Sequence, residues 1–304
     1  MGLYQPIVAE LERQGHEVVF VEDKMLDYDW KYPYRSVLDR TKRYCDCHVH
    51  KRFERYWDSI LAQRADVRQH FDELIVVNGC SFCKYFWNTV RSFNKHLKAV
   101  LYLWDNSSFY DYFHYRSLFD KVMTYDLDDS IKYGVKLLPF YWQDKPDGGG
   151  GIKYKLSMIG SNHSGRLDIA RKIVSQLNDK DYSYYIKVVD KTQPEDDIVI
   201  HNPVSSVDVQ NIIQQSECVL DTDRGSQTGT TPRLIWALAS GKKIITTNQN
   251  IRRMPLYDSE CITFIDRNNP VLDDAFLNRE VQHKKPSPYL ESLRLDNWIQ
   301  HFLI

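Results

Sequence analysis

Three loops in the second half of this 304-residue chain carry side chains suited to holding an anion. The stretch "TDRGSQTGTTPR" (222–233) offers Arg224, Gln227, Gly229 and Arg233 just ahead of an apolar run. Thr230 or Thr231 is set to cap a helix there, with Pro232 in its first turn. Exposed amides at such a helix start, flanked by two guanidinium groups, suit a pyrophosphate or a carboxylate. The competing reading is an ordinary loop whose arginines are neutralised by Asp221 and Asp223. A second loop, "GSNHSGR" (160–166), combines Gly160, which lets backbone come close, with Ser161, Ser164 and a helix N-terminus as donors. Arg166 adds a fork of charge-assisted hydrogen bonds. The third, "TTN" (246–248), places Asn248 at a strand end within reach of the same crevice. None of these follows the glycine spacing of a P-loop or a dinucleotide fingerprint.

In the first half, "LWDNSS" (103–108) puts Asp105 at the carboxyl end of a strand, where it reads either as a general base or as a turn former. His114, His163 and His201 are weaker candidates for proton transfer. No nucleophile elbow, zincin or Walker pattern is present, which leaves hydrolase, kinase and metalloprotease readings without support. "CDCHVH" (45–50) and "CSFC" (80–83) invite a zinc reading. Cys45 and Cys47 fall in an apparent helix, where side chains two apart diverge, so the expectation is reduced cysteines and no metal.

The elements that position these residues follow from hydrophobic periodicity. A helix from residue 5, a turn at Gly15 and a strand at Val18–Val21 read as the second half of a βαβ unit, its first strand missing. One long helix is expected over Ser36–Gln63 and strands over 70–79, 98–105, 121–126 and 135–142. Past "QDKPDGGGG" (143–151), which reads as a linker or a long surface loop, the rhythm restarts with strands at 153–160, 182–189, 217–221, 242–247 and 261–266. Helices are expected from Ser164, over 206–216, over 231–240 and along the tail from Ser287. Apolar strands alternating with amphipathic helices predict an α/β fold with mainly parallel sheets. The expected domains are 1–146 and 152–304. In each, ligands belong beyond the carboxyl ends of the strands. A net charge of -1 gives no basic footprint, so no nucleic-acid partner is expected. The apolar runs are too short to span a bilayer and no leader is apparent, which points to the cytoplasm and leaves the inner-membrane surface open. Twenty tyrosines and seven tryptophans suit either sugar-binding surfaces or cores and interfaces.

The segments "LYLWDNS", "FDKVMTYDLDDSIKYGVKLLPFYW", "LSMIGSNHSGR", "QTGTTPRLIWALASGKKIITTN" and "FIDRNNP" (264–270) resemble, in that order, bacterial GT-B glycosyltransferases of capsular and lipopolysaccharide biosynthesis, and more distantly CgeB-like proteins. The resemblance implies two Rossmann-like domains facing each other across a cleft, the N-terminal one lacking its usual first strand. It implies Gly160, Ser161, His163 and Arg166 near a diphosphate, and Gln227, Gly229, Thr231 and Arg233 along the donor loop. Trp236 stands where relatives carry a helix glutamate; it cannot accept a ribose hydrogen bond, and it either stacks on a ligand or fills space against the sheet.

The function so implied is metal-independent transfer of a sugar from a nucleotide diphosphate-sugar to a glycan or lipid-linked acceptor in cell-surface polysaccharide synthesis. Asp105 would activate the acceptor, while Arg166, Arg224 and Arg233 would hold the diphosphate. No cofactor beyond the co-substrate is expected, and oligomeric state is left open. The alternative is a non-catalytic nucleotide-sugar-binding or assembly protein on the same fold.

Overall fold

A computed structural model describes residues 3–22, 36–79, 81–108, 112–144, 151–280 and 286–304. The chain divides into two compact units. One comprises Met1–Glu10, Asp126–Asp128 and Pro139–Gln300; the other comprises Leu11–Tyr125, Asp129–Leu138 and His301–Ile304. Of the linker expected over 143–151, residues 145–150 lie outside the described residues.

The second unit holds a four-stranded parallel sheet in the order β1-β2-β3-β4, formed by Glu73–Val77, Lys98–Leu103, Lys121–Thr124 and Lys136–Leu137. β2 is buried from Ala99 onward, as expected of a strand covered on both faces. Helices Arg52–Gln63 and Lys84–Phe93 bring Trp57 and Phe86 into a stacked pair with ring centroids 3.8 Å apart. Trp57 Nε1 donates to the Ser81 carbonyl at 2.9 Å, satisfying its one polar atom inside the core.

The other unit holds a six-stranded parallel sheet: β5 Tyr154–Ser161, β6 Tyr184–Val189, β7 Val199–Ile200, β8 Ser216–Asp221, β9 Lys243–Thr246 and β10 Ile262–Phe264. Its order is β10-β9-β8-β5-β6-β7. Successive strands therefore add outward from β5 on one side and from β8 on the other, the doubly wound pattern. Helices Arg166–Asn178, Ser206–Gln214 and Pro232–Ala239 link these strands, and the core closes around Leu156, Ile173, Ile186, Val188, Leu220 and Ile245.

Several expected elements differ. The long helix is two, Val37–His48 and Arg52–Gln63, because the amides of Val49 and His50 both close on the Cys45 carbonyl and Lys51 turns left-handed at φ 48°. The tail helix is likewise two short ones, Pro288–Ser292 and Leu295–Ile299. Between them the Leu293 carbonyl and Leu295 amide pair with the backbone of Trp142, diverting bonds a continuous helix needs. Residues 16–22 form no ladder, and β7 is a strand the periodicity does not suggest. Ser164 does not open its helix: Gly165, at φ 74°, is the N-cap, and Ser164 is itself left-handed at φ 52°. Among the described residues no helix is long and apolar enough to cross a membrane.

The two lysines of "SGKKII" cap helices. Lys242 Nζ donates to the carbonyl of Gln214, the last residue of helix Ser206–Gln214, at 2.8 Å. Lys243, 5% exposed, donates to Phe276 (3.1 Å), Leu277 (2.5 Å) and Arg279 (2.8 Å) at the end of helix Asp274–Asn278. These carbonyls lie at helix C-termini, where a cation suits the negative end of the helix dipole; the Phe276 carbonyl also accepts from the Arg279 amide at 3.3 Å. Lys243→Met keeps the bulk and strands the carbonyls. We expect it to lower the unfolding free energy by about 3 kcal/mol in urea titrations.

Candidate functional site

In the six-stranded sheet the order reverses between β5 and β8, so the loops leaving these strands turn apart. The ladder between them runs from Tyr154↔Ser216 to Ser157↔Val219, short of the carboxyl ends at Ser161 and Asp221. Arg166, 5% exposed, fills the opening so left. Its Nη1 donates to the Ser161 carbonyl, its Nε to Thr222 Oγ1 at 2.6 Å, and its Nη2 to the Thr222 carbonyl at 2.6 Å.

Arg233 converges on the same place from the first turn of helix Pro232–Ala239. A Cβ added at Gly160 would lie 2.8 Å from Arg166 Nη1 and 3.0 Å from Arg233 Nη1, so both guanidinium groups sit directly over this residue. Only glycine leaves them that room. Arg233 Nη2 pairs with Asp221 Oδ1 at 3.1 Å, and the same oxygen accepts from Thr231 Oγ1 at 2.6 Å. Thr231 is the helix N-cap, its hydroxyl accepting from Leu234 N at 3.2 Å, with Pro232 opening the helix as expected. Among the described residues, Arg233 Nε and Thr230 Oγ1 are buried without a hydrogen-bond partner.

Arg267, just past β10, completes the group. It donates to the Ser164 carbonyl at 2.9 Å, to the Asp223 carbonyl at 2.7 Å, and to the Asp223 carboxylate. Thr247 Oγ1 also donates to that carboxylate. One side chain thus ties the loops after β5, β8 and β9. Burial and then Arg233 push the Arg166 guanidinium down to about 9; Asp221 opposes this, while Arg224 and Arg267 reinforce it. Desolvation, followed by Arg224 and Arg166, holds the His163 imidazole below its ordinary value. Four arginines therefore share this corner and outnumber the two aspartates, Asp221 and Asp223, that pair with them.

Of the residues singled out in the sequence, Gly160, Ser161, His163, Arg166, Arg224 and Arg233 meet here. Gly229 and Asn248 act on the loop itself. The Gly229 amide donates to Asp126 at 3.3 Å, and its carbonyl accepts from Asn248 Nδ2 at 3.0 Å. Asp126, in this same unit, also accepts from the amide and hydroxyl of Thr228, both at 2.8 Å. Gln227 closes a turn on the Arg224 carbonyl at 2.8 Å and leaves its side chain half-exposed. Trp236 is 7% exposed and donates from Nε1 to the Tyr141 carbonyl at 3.1 Å, so it fills the core and does not line the loop.

Asp105 lies in the four-stranded unit, beyond β2. Its carboxylate accepts from Asn78 Nδ2 at 2.9 Å, and Asn78 Oδ1 accepts from Trp104 N at 3.0 Å. His201 bonds the Gln193 carbonyl at 2.9 Å on the surface. The His114 side chain lies outside the described residues. So do Cys80 and the side chains of Cys47 and His48, on which the zinc reading falls. Among the described residues, no group of three or more His, Cys, Asp or Glu side chains could hold a metal ion.

Sequence reasoning missed Arg267, Thr222 and Thr247. The rule that ligands gather past strand ends pointed to Arg267 as much as to the others, but nothing local announces a contact with residues 164 and 223. The geometry defines an arginine-rich corner on a doubly wound parallel sheet, a charge balance chemically suited to an anion. The sequence matches no protein-family model and no curated protein.

Desolvation is the larger cause of the lowered His163 and would remain, but a polyanion seated here would offset the repulsion from Arg224 and Arg166 and so raise its pKa on binding. Binding then takes up a proton, and the His163 contribution to affinity grows as pH falls through the raised value towards the depressed one of the free imidazole. Calorimetry with inorganic pyrophosphate in buffers of differing ionisation enthalpy should show this uptake, and His163→Gln should remove it.

Proposed function

We propose that the chain is a glycosyltransferase of the GT-B kind. It would transfer a sugar from a nucleotide diphosphate-sugar to a glycan or lipid-linked acceptor in cell-surface polysaccharide synthesis. The observation that carries this reading is the pair Arg166 and Arg233 over Gly160, at the strand reversal of a doubly wound sheet. A departing nucleoside diphosphate gains negative charge as the glycosidic bond breaks. Donors already fixed around it stabilise that charge without reorganising. Arg233 is assigned to the diphosphate, with Arg166 and Arg267 holding the loops that present it. Asp105 is assigned to the acceptor hydroxyl as general base.

One observation favours the alternative of a binding or assembly protein on the same fold. Trp236 fills the core at the position where the resemblance implies a helix glutamate in relatives. The two readings separate on turnover. Thermal shift against UDP-, GDP-, CMP- and dTDP-linked sugars should give stabilisation by a diphosphate donor, and that donor should then be hydrolysed or transferred. Stabilisation without turnover on lipid-linked and glycan acceptors selects the binding protein, and no stabilisation by any nucleotide sinks both readings.

Two substitutions refine the assignment. Arg233→Gln removes a charge-assisted contact and should weaken donor binding by about a hundredfold. Asp105→Asn should lower kcat by a factor of about 100 to 10,000 and leave donor affinity unchanged.

A further inference from the structure

The amino ends of the four-stranded sheet, away from Asp105, gather positive charge. β2, β3 and β4 each begin with a lysine, at Lys98, Lys121 and Lys136. Side chains alternate along a strand, and register partners in a parallel ladder share a face. Lys121 therefore lies on the same face as Met123, and Met123 pairs with Lys136. Tyr102, the β2 partner of Met123, is on that face too. The Phe302 ring meets Tyr102 there with centroids 5.6 Å apart, which brings His301 to the lysines. Lys136 Nζ is 2.8 Å from His301 Nδ1. An ammonium only donates, so Nδ1 accepts and the ring carries its own proton on Nε2.

The carboxylates of this edge are engaged elsewhere. Asp120 Oδ2 accepts from the Ala99 amide at 2.8 Å, and Glu73 Oε1 accepts from the Ile304 amide at 2.7 Å. Burial, then Lys121, holds the Lys136 ammonium below its ordinary value. Burial, then Lys136 and Lys121, does the same to the His301 imidazole. Among the described residues no carboxylate opposes either effect. Lys136 is exposed, while Lys121 and His301 are half-buried, so water relieves the repulsion only in part.

We propose that Lys121, Lys136 and His301 bind a small tetrahedral oxyanion, a phosphate group carried by a soluble molecule. Lys121 supplies its ammonium donors, Lys136 the two left over from His301, and the imidazole the one on Nε2. Donors converging from two strands and from residue 301 suit the several oxygens of a phosphate better than the two of a carboxylate. The anion also offsets the repulsion among the three groups. The site is separate from the arginine-rich corner, which belongs to the other unit, and does not depend on the chemistry assigned there.

The test follows the imidazole nitrogens of His301 by NMR while the full chain is titrated with inorganic phosphate. Acetate at equal ionic strength is the control, and His301→Gln assigns the signals. Phosphate should shift them saturably, and acetate should not. The Kd read from those shifts should weaken about tenfold in Lys121→Gln and in Lys136→Gln, and stay within about threefold in Lys136→Arg, which keeps the charge. Arg233→Gln, in the other unit, should leave it unchanged. Neither lysine belongs to the buried core, so circular dichroism should not change. The proposal is overturned if phosphate leaves the His301 signals in place, or if acetate moves them as far. It is equally overturned if both glutamine variants bind as the wild type does, or if Arg233→Gln abolishes the response.

Discussion

A guanidinium buried in a protein must find acceptors for its donors, and in the six-stranded unit that requirement falls on Arg166. Its acceptors are the carbonyl of Ser161, at which β5 ends, and both oxygens of Thr222, the residue just past the end of β8. The strands have already stopped pairing by then, so the side chain takes over from the ladder and holds their ends at a set separation. Whatever occupies the corner meets walls positioned by this one residue. Replacing Arg166 by lysine would keep the charge and lose the planar fork that reaches both strands.

The second layer of the arrangement is a division of labour among carboxylates. Asp221 orients Arg233 and Thr231 through a single oxygen, fixing the helix start and its cation together. Asp223 does the same for Arg267 and Thr247. Asp126 holds the far side of the loop through Thr228 and Gly229, and Asn248 holds its carbonyls. The loop is thus tied before any ligand arrives. Little ordering remains to be done on binding, which is how fixed dipoles and charges come to act strongly on a developing charge.

Most of the strands, their parallel arrangement and the start of helix Pro232–Ala239 were legible because each rests on local signals: apolar runs, a capping threonine and a proline at the first turn. What sequence could not show is governed by contacts distant along the chain. The tail helix breaks because Trp142 intercepts its backbone, and Trp236 turns inward because the Tyr141 carbonyl awaits its indole nitrogen. Arg267 joined the corner unannounced for the same reason. Ser164 misled for a different one. A good N-cap residue gave way to Gly165 because the backbone there is left-handed at two successive residues. Of the arginine-rich corner, the participating loops and most of their cations were readable; which polar groups hold the loops together was not.

Gly160 carries a consequence for how such a chain can diverge. Its missing side chain is the space into which Arg166 and Arg233 are folded, and Arg166 is pinned by its own hydrogen bonds. A mutation that adds even a methyl group at 160 must displace both guanidinium ends, and moving Arg166 disturbs the hydrogen bonds that hold it. Substitutions at the three positions are therefore energetically coupled, since a side chain at 160 needs both guanidinium ends to move with it.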